Sequence, residues 1–384
     1  MVFVPREPGP VAEGLPGPYR VMVVDDSVVV RGLIARALES DPEIEVVTSV
    51  SNGQQAVTAV SRYKVDVAVL DIEMPKMDGM AALPLLLKAD PGLKVIMIST
   101  PSRRSADLSL RALAEGAADY VTKPSTTRDL VSARDFQRDL VEKVKALAAA
   151  RRGGIGRVSA RIAQPELAHG ARARMLATTA VTLRKLGFRR PEVLAIASST
   201  GGPQALMAVL TALGADFPLP ILVTQHMPPN FTAILADRLA RATGRPCREG
   251  TDGEPVLSGH TYIAPGDSHM LVEWRANRRV IRLDDGPPEN FCRPAADPML
   301  RSIARAYEGR ALALVLTGMG QDGTRGARML VEAGGTVFAQ DEASSVVWGM
   351  PGAVAVAGLC SAVLPLGEIA GQVNRMVPRE GARS

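Results

Sequence analysis

Three acidic side chains, Asp25, Asp26 and Asp71, stand directly after or at the end of apolar runs of strand type, and Ser99 and Lys123 close two further runs. In an open parallel sheet neighbouring carboxyl ends meet at one crevice, so these five groups are expected to converge. Clustered carboxylates repel each other unless a cation compensates, and an all-oxygen ligand set suits Mg²⁺. A carboxylate in such a setting can accept a phosphoryl group: the metal and Lys123 neutralise the developing charge while Ser99 bonds the phosphoryl oxygens. Singly, Asp25 or Asp26 would read as a helix cap and Lys123 as a solvated charge. Their joint position at strand ends points instead to chemistry at Asp71.

A second constellation starts from AIASSTGG, residues 195–202, where hydroxyls stand between an apolar run and a glycine pair that leads through Pro203 into a helix. A strand-to-helix turn of this kind exposes a side chain at the sheet edge and aims helix N–H groups at whatever binds there. It is not a phosphate loop, because no Lys follows the glycines and no GxGxxG is present. Nor is it the GxSxG elbow of lipases, since Ser199 lies between Ala197 and Gly201. A serine nucleophile needs a base and an orienting acid. His226 ends the strand PILVTQH, and Asp322 lies in the glycine-rich loop after LALVLTG, so Ser199, His226 and Asp322 can form a Ser-His-Asp set on one sheet edge. Gly201, Gly202, Gly318 and Gly320 would let backbone approach a substrate, with the N–H groups of Thr200 or Met319 as oxyanion-hole candidates. Cys292 reads as a packing or loop residue, because its motif places no histidine beside it.

The elements that must position these groups follow from periodicity. Between residues 20 and 138, five strand runs alternate with amphipathic stretches, which implies a parallel sheet covered on both faces. Pro84 is expected in the first turn of the third helix, where proline costs least. Residues 139–190, rich in Arg, Ala and Gly, read as a linker, and residues 191–384 carry a second α/β series. Residues 1–19 read as a disordered tail with no signal-peptide pattern, and no run of apolar residues is long enough for a membrane span. The chain has 384 residues, 46% of them hydrophobic, so two such cores can be buried. Three scattered cysteines suit a reducing cytosol and give no zinc spacing. The net charge of +5 is spread out, and aromatics form only 4% of the chain, which argues against nucleic-acid binding. A receiver-linked transcriptional regulator would require a helix-turn-helix after the linker, where the sequence offers strands instead.

The blocks VMVVDDS, VLDIEMPKMDG and DYVTKP resemble the receiver domain of two-component response regulators. This resemblance implies a flavodoxin-like fold, phosphorylation at Asp71, and Mg²⁺ held by Asp26, Asp71 and the Glu73 carbonyl with Asp25 nearby. IASSTGG, VTQHMPPNF, YIAPGDSHM, GPPENFCRPAADPM, LTGMGQDG and AQDEASSVVWGMP resemble, in order, the catalytic domain of chemotaxis protein-glutamate methylesterases. That resemblance selects Ser199 over Ser198 as nucleophile, with His226 as base and Asp322 as its orienter. It implies a doubly wound, mostly parallel α/β hydrolytic domain that needs no cofactor. Its expected activity is demethylation of glutamate γ-methyl esters on chemoreceptors, with deamidation of receptor glutamines, in the cytoplasm. A chemotaxis histidine kinase is the implied phosphodonor, and the unphosphorylated receiver is expected to cover the hydrolase cleft.

Overall fold

The structure, a computed structural model, describes residues 17–123, 130–153 and 181–377. The tail expected over residues 1–19 lies almost entirely outside them, as does most of the linker. In chain order the first unit runs β1 (Tyr19–Val24), α1 (Val28–Glu39), β2 (Ile44–Val50), α2 (Gly53–Val60), β3 (Val67–Asp71), α3 (Gly79–Ala89), β4 (Lys94–Ser99), α4 (Arg103–Ala114), β5 (Asp119–Thr122) and α5 (Leu130–Arg151). Its five strands are parallel in the order β2-β1-β3-β4-β5, so chain direction across the sheet reverses between β1 and β3. The residues after β1 and at the end of β3 therefore flank the crevice where ligands bind in such sheets. Central strands such as β3, VAVLD, are buried throughout, which is why they read as continuous apolar runs rather than alternating ones.

The second unit runs β6 (Val193–Ser198), α6 (Gly202–Leu213), β7 (Ile221–Gln225), α7 (Phe231–Thr243), β8 (Cys247–Glu249), β9 (Thr261–Ile263), β10 (His269–Arg275), β11 (Arg278–Asp284), α8 (Ala296–Ala306), β12 (Ala311–Val315), α9 (Thr324–Glu332), β13 (Thr336–Gln340), α10 (Met350–Val356), β14 (Ala362–Leu364) and α11 (Leu366–Met376). Seven strands pair in parallel in the order β14-β13-β12-β6-β7-β9-β8. The reversal here falls between β12 and β6, beside β7, so the loops after these three strands share one edge.

Several sequence expectations need correction. Pro84 lies in the interior of α3, not in its first turn, and removes one hydrogen bond from the ladder there. The helix α5 continues to Arg151, and Leu140, Val144, Leu147 and Ala148 are buried in the first unit's core, so residues 139–151 are not linker. At the other end of that stretch, Arg184 N–H donates to Cys360 O at 2.8 Å and Gly187 N–H to Thr336 Oγ1 at 3.0 Å, which ties residues 184–187 to the second unit. RVIRLD pairs with β10 in a separate antiparallel hairpin and is not part of the main sheet. The short β8 and β14 and the helix α10 carry too few residues to show a period.

The two units are in contact. Leu110, Leu113 and Tyr120 of the first share one apolar cluster with Leu206, Phe231 and Leu235 of the second. The Tyr120 and Phe231 rings stack with centroids 4.5 Å apart. Gln204 Nε2 donates to Leu113 O at 3.0 Å and Ala117 O at 3.2 Å, and Arg238 pairs with Asp107 at 2.8 Å. Thr200 Oγ1 donates to Asp119 Oδ2 at 2.6 Å, one residue from Ser199. The Arg138 guanidinium lies 4.5 Å from the Phe291 ring centroid.

Candidate acidic and hydrolytic sites

At the first crevice Ser27, not Asp25 or Asp26, caps α1: its side chain accepts from Val30 N–H. Neither acid is the helix cap, and Asp25 Oδ1 instead accepts from Ser27 N–H at 2.8 Å. Ligand oxygens of Asp25, Asp26 and Asp71 lie within 4.8 Å of one another, and Lys123 Nζ is 2.9 Å from both Asp25 Oδ2 and Asp71 Oδ2. Burial is the largest influence on Asp71 and raises its pKa; Lys123 opposes that, Asp25 adds to it, and the result is about 6. Ser99 Oγ is buried with no hydrogen-bond partner among the described residues. Three carboxylates with one ammonium leave negative charge uncompensated, and an unsatisfied hydroxyl lies at the end of the neighbouring strand, so the donor set fits Mg²⁺ and an incoming oxyanion. Glu73, two residues past β3, is exposed.

At the second edge, β6 and β7 pair with Ser198 opposite Gln225, so Ser199 and His226 follow at adjacent strand ends. Ser198 is fully buried and donates to Gln225 Oε1 at 2.7 Å, while Gln225 Nε2 donates to Ser199 O at 2.9 Å. The alternation of the strand thus sends one serine inward as a brace and leaves the other half-buried at the edge. Gly201 has φ of +74°, and a Cβ on Gly202 would lie 1.9 Å from Gln225 Oε1, so both glycines serve the turn's own packing.

His226 Nε2 lies 2.7 Å from Asp322 Oδ2. Asp322 is buried and accepts from the N–H groups of Ala296 (2.5 Å), Asp297 (3.0 Å) and Gly323 (2.9 Å) and from Asn290 Nδ2 (2.9 Å). Burial alone would raise its pKa, but His226 and these donors outweigh burial and hold it low. An ionised, fully oriented acceptor results, and it fixes the imidazole. For His226, burial disfavours the charged ring; negative charge on Cys292 and the bonds to Asp322 and Cys292 outweigh that and hold its pKa well above the ordinary histidine value. The N–H groups of Thr200 and Met319 have no acceptor among the described residues, as oxyanion donors require.

Cys292 lies in a loop, as expected, but it packs against a histidine that its own motif did not place beside it: its Sγ lies 3.4 Å from His226 Nδ1. The contact was illegible because 66 residues separate the two in the chain. Asn290, which sequence reasoning missed, bridges Asp322 and Asp297; asparagine in a loop carries no signal of such a role. His269, which is buried, accepts from Ala295 N–H at 3.1 Å and is structural.

The Asp71 geometry carries a stability consequence. A carboxyl whose native pKa exceeds its unfolded value binds the extra proton in the native state, so its contribution is present at low pH and lost as pH rises from about 4 through about 6. Asp71→Asn removes that loss. Its metal-free melting midpoint at pH 7.5 should exceed wild type by a few degrees, and millimolar Mg²⁺ should narrow the gap by stabilising the wild type; equal midpoints in chelator would contradict the uncompensated site.

Comparison with known proteins finds a match for each of the two units. Residues 21–135 match the response regulator receiver domain family, and residues 194–373 match the CheB methylesterase family. The chain is 55% identical to the protein-glutamate methylesterase/protein-glutamine glutaminase of group 2 operon of Rhodospirillum centenum, over 95% of each chain. It is 54% identical to a protein-glutamate methylesterase/protein-glutamine glutaminase of Azospirillum brasilense, over 97% of this chain and 98% of the relative. A receiver and an α/β hydrolytic unit, joined in this order and matched along nearly the whole length, place the chain in the CheB methylesterase family.

Proposed function

We propose that the chain is a phosphorylation-regulated serine hydrolase of the cytoplasm that removes methyl groups from glutamate γ-methyl esters on chemoreceptors and deamidates receptor glutamines. The observation that carries this reading is the Asp322–His226 bond of 2.7 Å beside the half-buried Ser199. Asp322 engages Nε2, so Nδ1 is the nitrogen left to take the Ser199 proton. Ser199 Oγ attacks the ester carbonyl, the proton passes to His226, and the imidazolium is held by Asp322. The Thr200 and Met319 amides bind the oxyanion. Methanol leaves with the proton, and water, deprotonated by the same imidazole, releases glutamate. From a glutamine side chain, ammonia leaves by the same steps. No metal or organic cofactor enters this sequence.

In the receiver, taken as residues 20–153, Asp71 is the phosphoryl acceptor. Asp25, Asp26, Asp71 and the Glu73 carbonyl would hold Mg²⁺, which neutralises the phosphoryl group when bound; Lys123 pairs with the new charge and Ser99 donates to it. The donor is a chemotaxis histidine kinase. The contacts of Thr200 with Asp119 and of Phe231 with Tyr120 support a receiver that restrains the hydrolase until phosphorylation shifts β4 and β5. No helix among the described residues is long and apolar enough to cross a membrane.

Incubation with methyl-labelled receptor tests the catalytic assignment. Ser199→Ala should lower methyl release by several orders of magnitude, whereas Ser198→Ala should cost about 1 kcal/mol of stability through its lost hydrogen bond to Gln225 and leave turnover largely intact. Comparable losses of turnover in both would refute it. Labelling by acetyl phosphate with Mg²⁺ should vanish in Asp71→Asn; retained label would move the acceptor elsewhere. Restraint by the receiver predicts that the full chain carrying Tyr120→Ala and Gln204→Ala releases methyl groups about 5- to 150-fold faster without phosphodonor, the span of typical coupling energies. An unchanged basal rate would mean that phosphorylation acts by another route.

A further inference from the structure

The imidazole at the centre of the hydrolytic site has two occupied nitrogens, and only one occupant was anticipated. Asp322 holds Nε2; at Nδ1, 3.4 Å away, is Cys292 Sγ. Ser199 Oγ makes no hydrogen bond to the ring among the described residues. The thiol is therefore located where the nucleophile's proton must arrive.

That placement is built in. Cys292 and Glu289 exchange backbone hydrogen bonds at 2.9 and 3.1 Å, closing a tight loop. Asn290 within it is anchored to Asp322 and Asp297, and has φ of +51°, with Phe291 following at +62°. Two successive non-glycine residues in the left-handed region persist only where surroundings over-determine them. Arg293, on the other side of the cysteine, pairs with Asp267 at 2.7 Å and donates to Asp285 O and Gly286 O at 2.8 and 3.0 Å. This guanidinium clamps the loop internally. The sulfur is thus pinned against the ring from both sides of its chain.

We propose that Cys292 is a positioning residue of the hydrolytic site: a proton shared between its sulfur and His226 Nδ1 keeps the base closed to Ser199 until substrate displaces the thiol. The inference rests on the assignment of Ser199 and His226 above. It holds whether the proton resides on sulfur, as S–H donating to a neutral ring, or on nitrogen, as N–H donating to a thiolate; in either state Nδ1 has no lone pair free for the serine. Cys292 forms no bond to the substrate during turnover, and the only bond that changes on its sulfur is S–H. When the side chain rotates away with the shared proton as a thiol, Nδ1 becomes the acceptor for Ser199 O–H, and the catalytic proton moves as described. The other ionisable groups near the ring do not touch it: Asp297 is linked to Asp322 through Asn290, Glu289 is paired with Arg301, and on the receiver side Asp119 binds Thr200 and Arg138 covers Phe291.

The test uses the full chain, phosphorylated by acetyl phosphate, and kcat/KM for methyl release against pH. His226 must be neutral to accept a proton, so activity rises with pH through its titration, and an anion beside it displaces that rise to higher pH. Cys292→Ala should move the acid limb to lower pH and raise kcat/KM near pH 6.5 by about 2- to 10-fold, the range a single net hydrogen bond supports. Cys292→Ser, which cannot ionise in this range, should move the limb the same way and guards against a packing defect in the alanine variant. An unmoved limb in both folded variants would overturn the proposal. So would loss of turnover in Cys292→Ala together with activity retained in Ser199→Ala, which would make the cysteine the nucleophile. The pairing itself is read without turnover: iodoacetamide labelling of Cys292 at pH 7 should slow severalfold in His226→Gln, because the ring that shares the sulfur's proton is gone. Equal labelling rates would overturn the pairing even if Ser199 proves to be the nucleophile, and slowed labelling would uphold it even if Ser199 does not.

Discussion

Both sites depend on one geometric constraint: a parallel strand delivers its last residue to the same edge as its neighbours. The first sheet uses it to bring Asp25, Asp26, Asp71 and Lys123 together across about 100 residues of chain, and the second to bring Ser199, His226 and Asp322 to one edge. The apolar interiors of these strands leave no room for such groups elsewhere, and their loops supply the backbone donors. The cost of gathering acids is visible at Asp71, whose pKa rises to about 6. The cost of burying Asp322 is offset differently, by three backbone N–H groups and an asparagine amide.

The two units touch through the residues beside their sites rather than through the sites themselves. Thr200, which donates to Asp119, is next to Ser199; Phe291, which lies under Arg138, is next to Cys292. Tyr120, stacked on Phe231, comes from the strand that Lys123 follows. Residues of β5 and α5 therefore stand directly against the hydrolytic edge. Asp119 is the most exacting of these contacts, because it is buried and takes donors from both units: the Thr200 hydroxyl at 2.6 Å and Lys143 at 3.5 Å. Separation of the units would return Asp119 to Lys143 and to solvent, which is a modest cost and suits a reversible contact.

In the usual triad the acid orients Nδ1 and the serine faces Nε2. Here Asp322 takes Nε2. The chemistry is indifferent to the exchange, since either nitrogen can accept a proton once the other is held. The exchange does decide which loop can reach the open nitrogen, and the loop before α8 does so with a thiol.

Much of this was legible in the chain itself. Strand runs such as VDVAVLD and PILVTQH declare buried parallel strands by their unbroken apolar character, and the polar residue that ends each run is necessarily at the carboxyl edge; Asp71, His226 and Ser199 could be placed that way because a strand's end is a local property. Asp322 followed from the glycine-rich loop after β12 for the same reason. What the sequence could not express were contacts between segments with no common period. The left-handed turn at Asn290 and Phe291 is held by bonds from Asn290 to Asp297 and to Asp322, the latter remote in sequence, so the meeting of Cys292 with His226 exists only in three dimensions. The extent of α5 past residue 138 was hidden because its Ala- and Arg-rich end resembles a linker in composition, and only packing of Leu140, Val144 and Leu147 on the receiver makes it part of the domain. Likewise Ser198 and Ser199 are equivalent in a string of letters; the pleat of β6, which turns one toward Gln225 and leaves the other at the edge, is what separates a brace from a candidate nucleophile.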